Sequence, residues 1–112
     1  MKQVLVIGST VSDVIIHVDH LPKTSEDIHV IGQTMSLGGC AYNVSDMIRH
    51  FQVPYILFSP IGKGTYGHFV REALSRKGVK SPIPTPEQEN GCCYCFVEAS
   101  GERTFVCHRG AE

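Results

Sequence analysis

Two hydrophobic periods follow one another along the chain. Residues 3–8, Gln-Val-Leu-Val-Ile-Gly, hold an apolar run that closes on glycine. This is the pattern of a strand covered on both faces in a parallel sheet. Residues 14–18 form a second, β-branched run interrupted by His17, and residues 19–27, which hold Pro22, read as a loop. Extended structure returns over residues 28–37, without strict alternation. Gly38-Gly39 then turns the chain into a helix. Ala41, Val44, Met47 or Ile48, and Phe51 recur there at helical spacing, with Ser45, Asp46, Arg49 and His50 on the other side. Val53 and Pro54 end this helix.

A further apolar run over residues 55–61 leads into a glycine-rich turn, residues 62–67. Residues 68–77 predict a second amphipathic helix with Phe69, Val70, Ala73 and Leu74 inward. Arg76 and Lys77 suit its last turn, and Gly78 suits the position just past it. Residues 81–90 carry Pro82, Pro84 and Pro86 and read as mostly irregular. The final segment predicts a hairpin, residues 92–98 and 103–108 around Ala99-Ser100-Gly101-Glu102. The order implies an α/β layer in which a right-handed crossover joins the first and fourth extended runs. The extended segments without intervening helices are expected to form a separate small sheet.

Composition narrows the function classes. Of 112 residues 42% are hydrophobic and 19% charged, which excludes disorder as the main state. Ten Lys plus Arg against eleven Asp plus Glu leave no basic excess, so no nucleic-acid partner is expected. The apolar stretch Val4 to Ile7 is far too short for a membrane span, so the expectation is a soluble, cytoplasmic protein with no membrane partner. Five cysteines, three of them crowded at 92, 93 and 95, lack the paired spacing of a disulfide framework. Zinc would need Cys92, Cys93, Cys95, Cys107 and His108 to converge on one tetrahedron. On a strand Cys92 faces away from Cys93 and Cys95, so small buried hydrophobes is the preferred reading and no metal is assigned.

Two glycine clusters compete for attention. Gly62-Lys63-Gly64-Thr65-Tyr66-Gly67 matches a dinucleotide fingerprint, but that motif belongs to a first βα turn with an acidic residue at the next strand tip. Here Glu87 and Glu89 fall inside the proline-rich segment, and a simple tight turn is preferred. Gly38-Gly39, by contrast, opens a helix, where backbone approaches a ligand closely and the first N–H groups are free to donate. Asn43 lies one turn in, with an amide that both donates and accepts; a plain turn and a solvated Asn fit the spacing equally. Asp13, after the Gly8-Ser9-Thr10-Val11-Ser12 stretch, is placed where open α/β sheets bind ligands, or else caps a turn. His17 and His29 interrupt apolar runs, at edge or ligand-facing positions or, the preferred reading, as structural histidines, and no Ser-His-Asp or Cys-His set can be assembled.

Taken in order, Val6-Ile7-Gly8-Ser9 with Asp13, Gly38-Gly39-Cys40-Ala41-Tyr42-Asn43, and Pro60-Ile61-Gly62-Lys63-Gly64 with Gly67 resemble the N-terminal part of the PfkB carbohydrate kinases. The final hairpin and its exit, Arg109-Gly110-Ala111, extend the resemblance over the whole chain. It implies the N-terminal part of a ribokinase-like three-layer α/β/α fold with a small β-sheet lid. Residues 14–37 and 91–108 would form the lid, and residues 2–9 and 38–86 the α/β core. It further implies that Asp13 and Asn43 bind hydroxyls of a sugar or nucleoside, that Gly38 and Gly39 admit the substrate to the backbone, and that ATP and Mg2+ serve the complete enzyme. Val11 stands where ribokinases often have asparagine, and Lys63-Gly64 where an acidic pair is usual. The family's Gly-Ala-Gly-Asp segment, with the catalytic base and the nucleotide pocket, has no counterpart here, so the chain is expected to be an inactive fragment. A homodimer through the lid strands is also expected, and the alternative function is a non-catalytic binding or dimerising module built on the lid.

Overall fold

The computed structural model describes residues 2–112. Eight elements follow in the order β1 (Val4–Ile7), β2 (Val11–His17), β3 (Gly32–Gly38), α1 (Cys40–His50), β4 (Tyr55–Phe58), α2 (Gly64–Arg76), β5 (Cys92–Val97) and β6 (Arg103–His108). They build two sheets, as the element order implied. β1 and β4 pair in parallel, Val6 against Leu57, and the rest form a four-stranded sheet in the order β3-β2-β5-β6. Within it β2 runs antiparallel to β3 and parallel to β5, and β5 and β6 are the expected hairpin.

The parallel pair carries the core. Val6 and Leu57 meet Ala41 and Tyr42 of α1, Val70 and Leu74 of α2, and Ile61, with Leu37, Ile48, Tyr55 and Val79 packed around them. Only one face of this pair is covered among the described residues. Leu5, Ile7, Ile56 and Phe58, alternating with the core positions, are exposed, so the described residues supply the expected cover for one face of the strand and not for the other. Helix α1 keeps Ala41 and Ile48 against the core as its periodicity suggested, but turns the rest of the expected face outward. Ala41, Tyr42 and Ser45 are buried, while Val44, Met47 and Phe51 are exposed. Close approach is local to one position: a Cβ at Gly8 would lie 3.1 Å from Ala41 Cβ, so the chain at Gly8 and the helix at Ala41 leave no room for a larger side chain between them. Ser45 tolerates burial because its hydroxyl donates to Tyr42 O at 2.8 Å.

Boundaries moved at three further places. The second strand begins at Val11 rather than residue 14, which puts Asp13 inside a strand instead of a turn. The third begins at Gly32, leaving residues 28–31 outside any strand, with Ile31 N–H bonded to His17 O at 2.8 Å. Helix α2 starts four residues early, at Gly64.

Candidate functional site

Alternation along β2 separates its two faces. Ser12, Val14 and Val18 are buried, and the Ser12 hydroxyl donates to Tyr66 O in α2 at 3.1 Å. Asp13 lies on the other face, paired with Ser36 of β3 and Cys93 of β5. Its carboxylate sits directly against Gly38, where any Cβ would collide with it. Partial burial raises the Asp13 carboxyl above the usual carboxylate range.

Gly39 continues the corner. It caps α1 with φ of 98°, a conformation that favours glycine, and a Cβ there would lie 2.5 Å from Ser9 O. The same Ser9 carbonyl accepts Ala41 N–H at 3.2 Å, which fixes the helix start against the β1–β2 connection. Asn43 N–H bonds Gly39 O at 3.0 Å, and the residue is exposed one turn into the helix. Asp13 is thus brought against Gly38, next to the Gly39 corner, and Asn43 rises from the same turn. The corner offers a partly desolvated carboxylate, a helix N-terminus without side-chain caps, and a free amide, a set suited to hydroxyl groups.

The other sequence candidates separate from it. The Gly62–Gly67 turn is filled by the chain itself. Lys63 N–H bonds Gln88 O and Asn90 N–H bonds Lys63 O, both at 2.9 Å, and a Cβ at Gly62 would strike this backbone. A Cβ at Gly67 would strike the Gly62 carbonyl. These glycines serve packing, in agreement with the tight-turn reading. Among the described residues no three His, Cys, Asp or Glu side chains come together as a metal site. His17 and His29 are exposed. A groove of about 670 Å³ between α2 and residues 79–85 is mostly apolar, and Arg71 at its wall is engaged with Ile61 O, Gly62 O and Thr85 Oγ1.

Sequence reasoning missed Asn90, read only as part of an irregular segment. It is buried, accepts Gly62 N–H at 2.9 Å, and donates to Thr10 O at 3.2 Å and Gly91 O at 3.1 Å. One amide so ties the β4–α2 turn to the β1–β2 connection and to the entry of β5. A lone Asn before Gly91 was the only signal available for it.

A sequence model of the pfkB family carbohydrate kinases matches residues 1–112. The uncharacterized sugar kinase YegV of Escherichia coli (strain K12) is 33% identical over 111 residues, covering 99% of this chain and 35% of that protein. A nucleoside kinase of Thermoplasma acidophilum is 26% identical, again over 99% of this chain and 38% of the relative. Among solved structures, ribokinase of Cryptococcus neoformans in complex with ADP superposes with a TM-score of 0.78 at 26% identity, covering 99% of this chain and 36% of that one. The chain therefore spans little more than a third of the length of these relatives, and the likeness lies in their ribokinase-type fold.

Proposed function

The chain belongs to the pfkB family of carbohydrate kinases, and on that premise we propose that it holds the substrate-binding corner of an ATP-dependent sugar or nucleoside kinase. The reaction would move the γ-phosphate of ATP, with Mg2+, onto a substrate hydroxyl. The observation that carries this reading is the Asp13 carboxylate seated on Gly38 at the start of α1. A carboxylate accepts two hydroxyl hydrogen bonds, and one with few solvent competitors orients its ligand more firmly. Asn43 would add neutral hydrogen bonds, and Gly38-Gly39 would let the substrate lie against backbone. Positioning of this kind supplies much of the barrier reduction in phosphoryl transfer, where the protein does little covalent chemistry. The four-stranded sheet would act as the lid, since Asp13 stands on it while α1 starts where β3 ends. No residue described here is assigned to ATP, Mg2+ or the catalytic base.

The test is steady-state kinetics on a full-length kinase that carries these residues, with a panel of sugars and nucleosides. Asp13→Ala is expected to lower kcat/KM for the accepted substrate by roughly ten- to a hundredfold, the loss of a charged hydrogen bond. Asn43→Ala is expected to lower it less, and KM for ATP should move in neither variant. Wild-type kcat/KM in both would refute the assignment.

A second role has its own observation. β6 is an edge strand, with Phe105 60% and Val106 55% exposed on its two faces. An open apolar edge suits a homodimer through the lid strands, which would bury at least ~1,000 Å² in total. Light scattering across a dilution series is expected to show a dimer that Phe105→Glu dissociates. A monomer at every concentration would remove this role and leave the kinase reading untouched. A dimer without phosphoryl transfer would favour the binding-module alternative.

A further inference from the structure

Cys93 and Cys107 stand directly opposite one another in the antiparallel β5–β6 hairpin. Their sulfurs touch: Cys107 Sγ lies 2.9 Å from Cys93 Sγ, and both thiols are free. Opposed residues of an antiparallel pair have Cα atoms about 4.5 or 5.5 Å apart, depending on the ladder position, and both spacings fall within the range a disulfide spans. The other three cysteines lack this relation. Cys92 is on the opposite face of β5, Cys95 faces Phe105, and Cys40 is on α1. We propose that Cys93 and Cys107 are a reversible oxidation site, forming an intrachain disulfide by exchange with a small dissolved disulfide.

The two thiols divide the reaction between them. Cys107 is exposed and Cys93 half-buried, so a dissolved disulfide meets Cys107 first. The Cys107 thiolate attacks one sulfur of the reagent, forming a mixed disulfide and releasing the first thiolate. Cys93 then gives up its proton, attacks the Cys107 sulfur and expels the second thiolate, which is protonated. Two protein thiols lose two electrons, and the reagent disulfide gains them as two thiols. Burial first, then the hydrogen bond that the neutral Cys93 thiol shares with Cys107 and the charges of Cys107 and Asp13, push the Cys93 thiol up to about 12. Capping Cys107 removes its share of that effect, so the second step is eased by the first.

The bridge would form on the sheet face that carries Asp13, because Cys93 is the β5 partner of Asp13. The site stands on strand register and sulfur contact, and it holds whether or not Asp13 binds a sugar.

The experiment treats the folded full chain with glutathione disulfide, blocks remaining thiols, and identifies tryptic peptides by mass without reduction. The expected product is the peptide from Ser81 to Arg103 joined to the peptide from Thr104 to Arg109, two hydrogen masses below their sum. Fragmentation should place the link on Cys93, dithiothreitol should release it, and Cys92→Ser should keep it. Cys107→Ser should abolish it, and because Cys107 is exposed that variant tests the site even where Cys93→Ser fails to fold. Glutathione adducts alone, a link to Cys92 or Cys95, or a bridge only between two chains would overturn the proposal.

Discussion

Two glycine-bearing turns each lead from a strand into a helix, and they do opposite things. At Gly38-Gly39 the missing side chains leave room that is taken by the Asp13 carboxylate, with Asn43 exposed beyond it. At Gly62 and Gly67 the room is taken by backbone, the 88–90 segment and the Gly62 carbonyl itself. Glycine spacing reports only that something comes close. What comes close decides whether the turn can receive a ligand, and at the second turn the buried Asn90 amide has already closed it.

Substitution to alanine should separate the two turns. Gly67→Ala would drive Cβ into a carbonyl that Arg71 also holds, at 3.1 Å, and neither α2 nor the turn can yield cheaply. A loss of roughly 1–3 kcal/mol or more in unfolding free energy is expected by urea titration. Gly38→Ala meets a side chain instead. The Asp13 carboxylate can rotate away, so a smaller stability loss is expected, together with a fall in kcat/KM approaching that of Asp13→Ala. If Gly67→Ala is neutral while Gly38→Ala unfolds the protein, the contrast is reversed and the first turn is the packed one.

A weaker effect sharpens the same contrast through pH. Burial raises the Asp13 carboxyl, so the folded protein binds that proton more tightly than the unfolded chain does. The contribution of Asp13 to stability therefore falls as pH rises from the ordinary carboxylate value through the raised one. Asp13→Asn is expected to be at least as stable as the wild type at neutral pH, with the gap closing in acid, while substrate use stays impaired. A variant clearly less stable at neutral pH would show that the carboxylate serves the fold. Urea midpoints at several pH values measure it. Such a trade of stability for function is expected of a ligand-binding carboxylate and not of a packing residue.

The chain's order of periods determined the two-layer plan: a parallel pair joined by a helical crossover, a separate antiparallel-rich sheet, and a closing hairpin whose strand limits were nearly right. Those features follow from local alternation, capping glycines and prolines, which act within a few residues. Gly38-Gly39 with Asp13 was legible as a candidate for the same reason, and through resemblance to one family. Tertiary structure decided the rest. It placed Asp13 within β2, because pairing with both β3 and β5 extended that strand past the β-branched run. It turned α1 so that Tyr42 and Ser45 join Ala41 in the core, with Gly8 letting the helix approach closely at Ala41. It made Asn90 a buried junction among three segments up to 80 residues apart in sequence, and it set Cys107 on Cys93. Contacts of that range depend on which surfaces meet when the layers pack, and no local pattern of hydrophobic and polar positions encodes it.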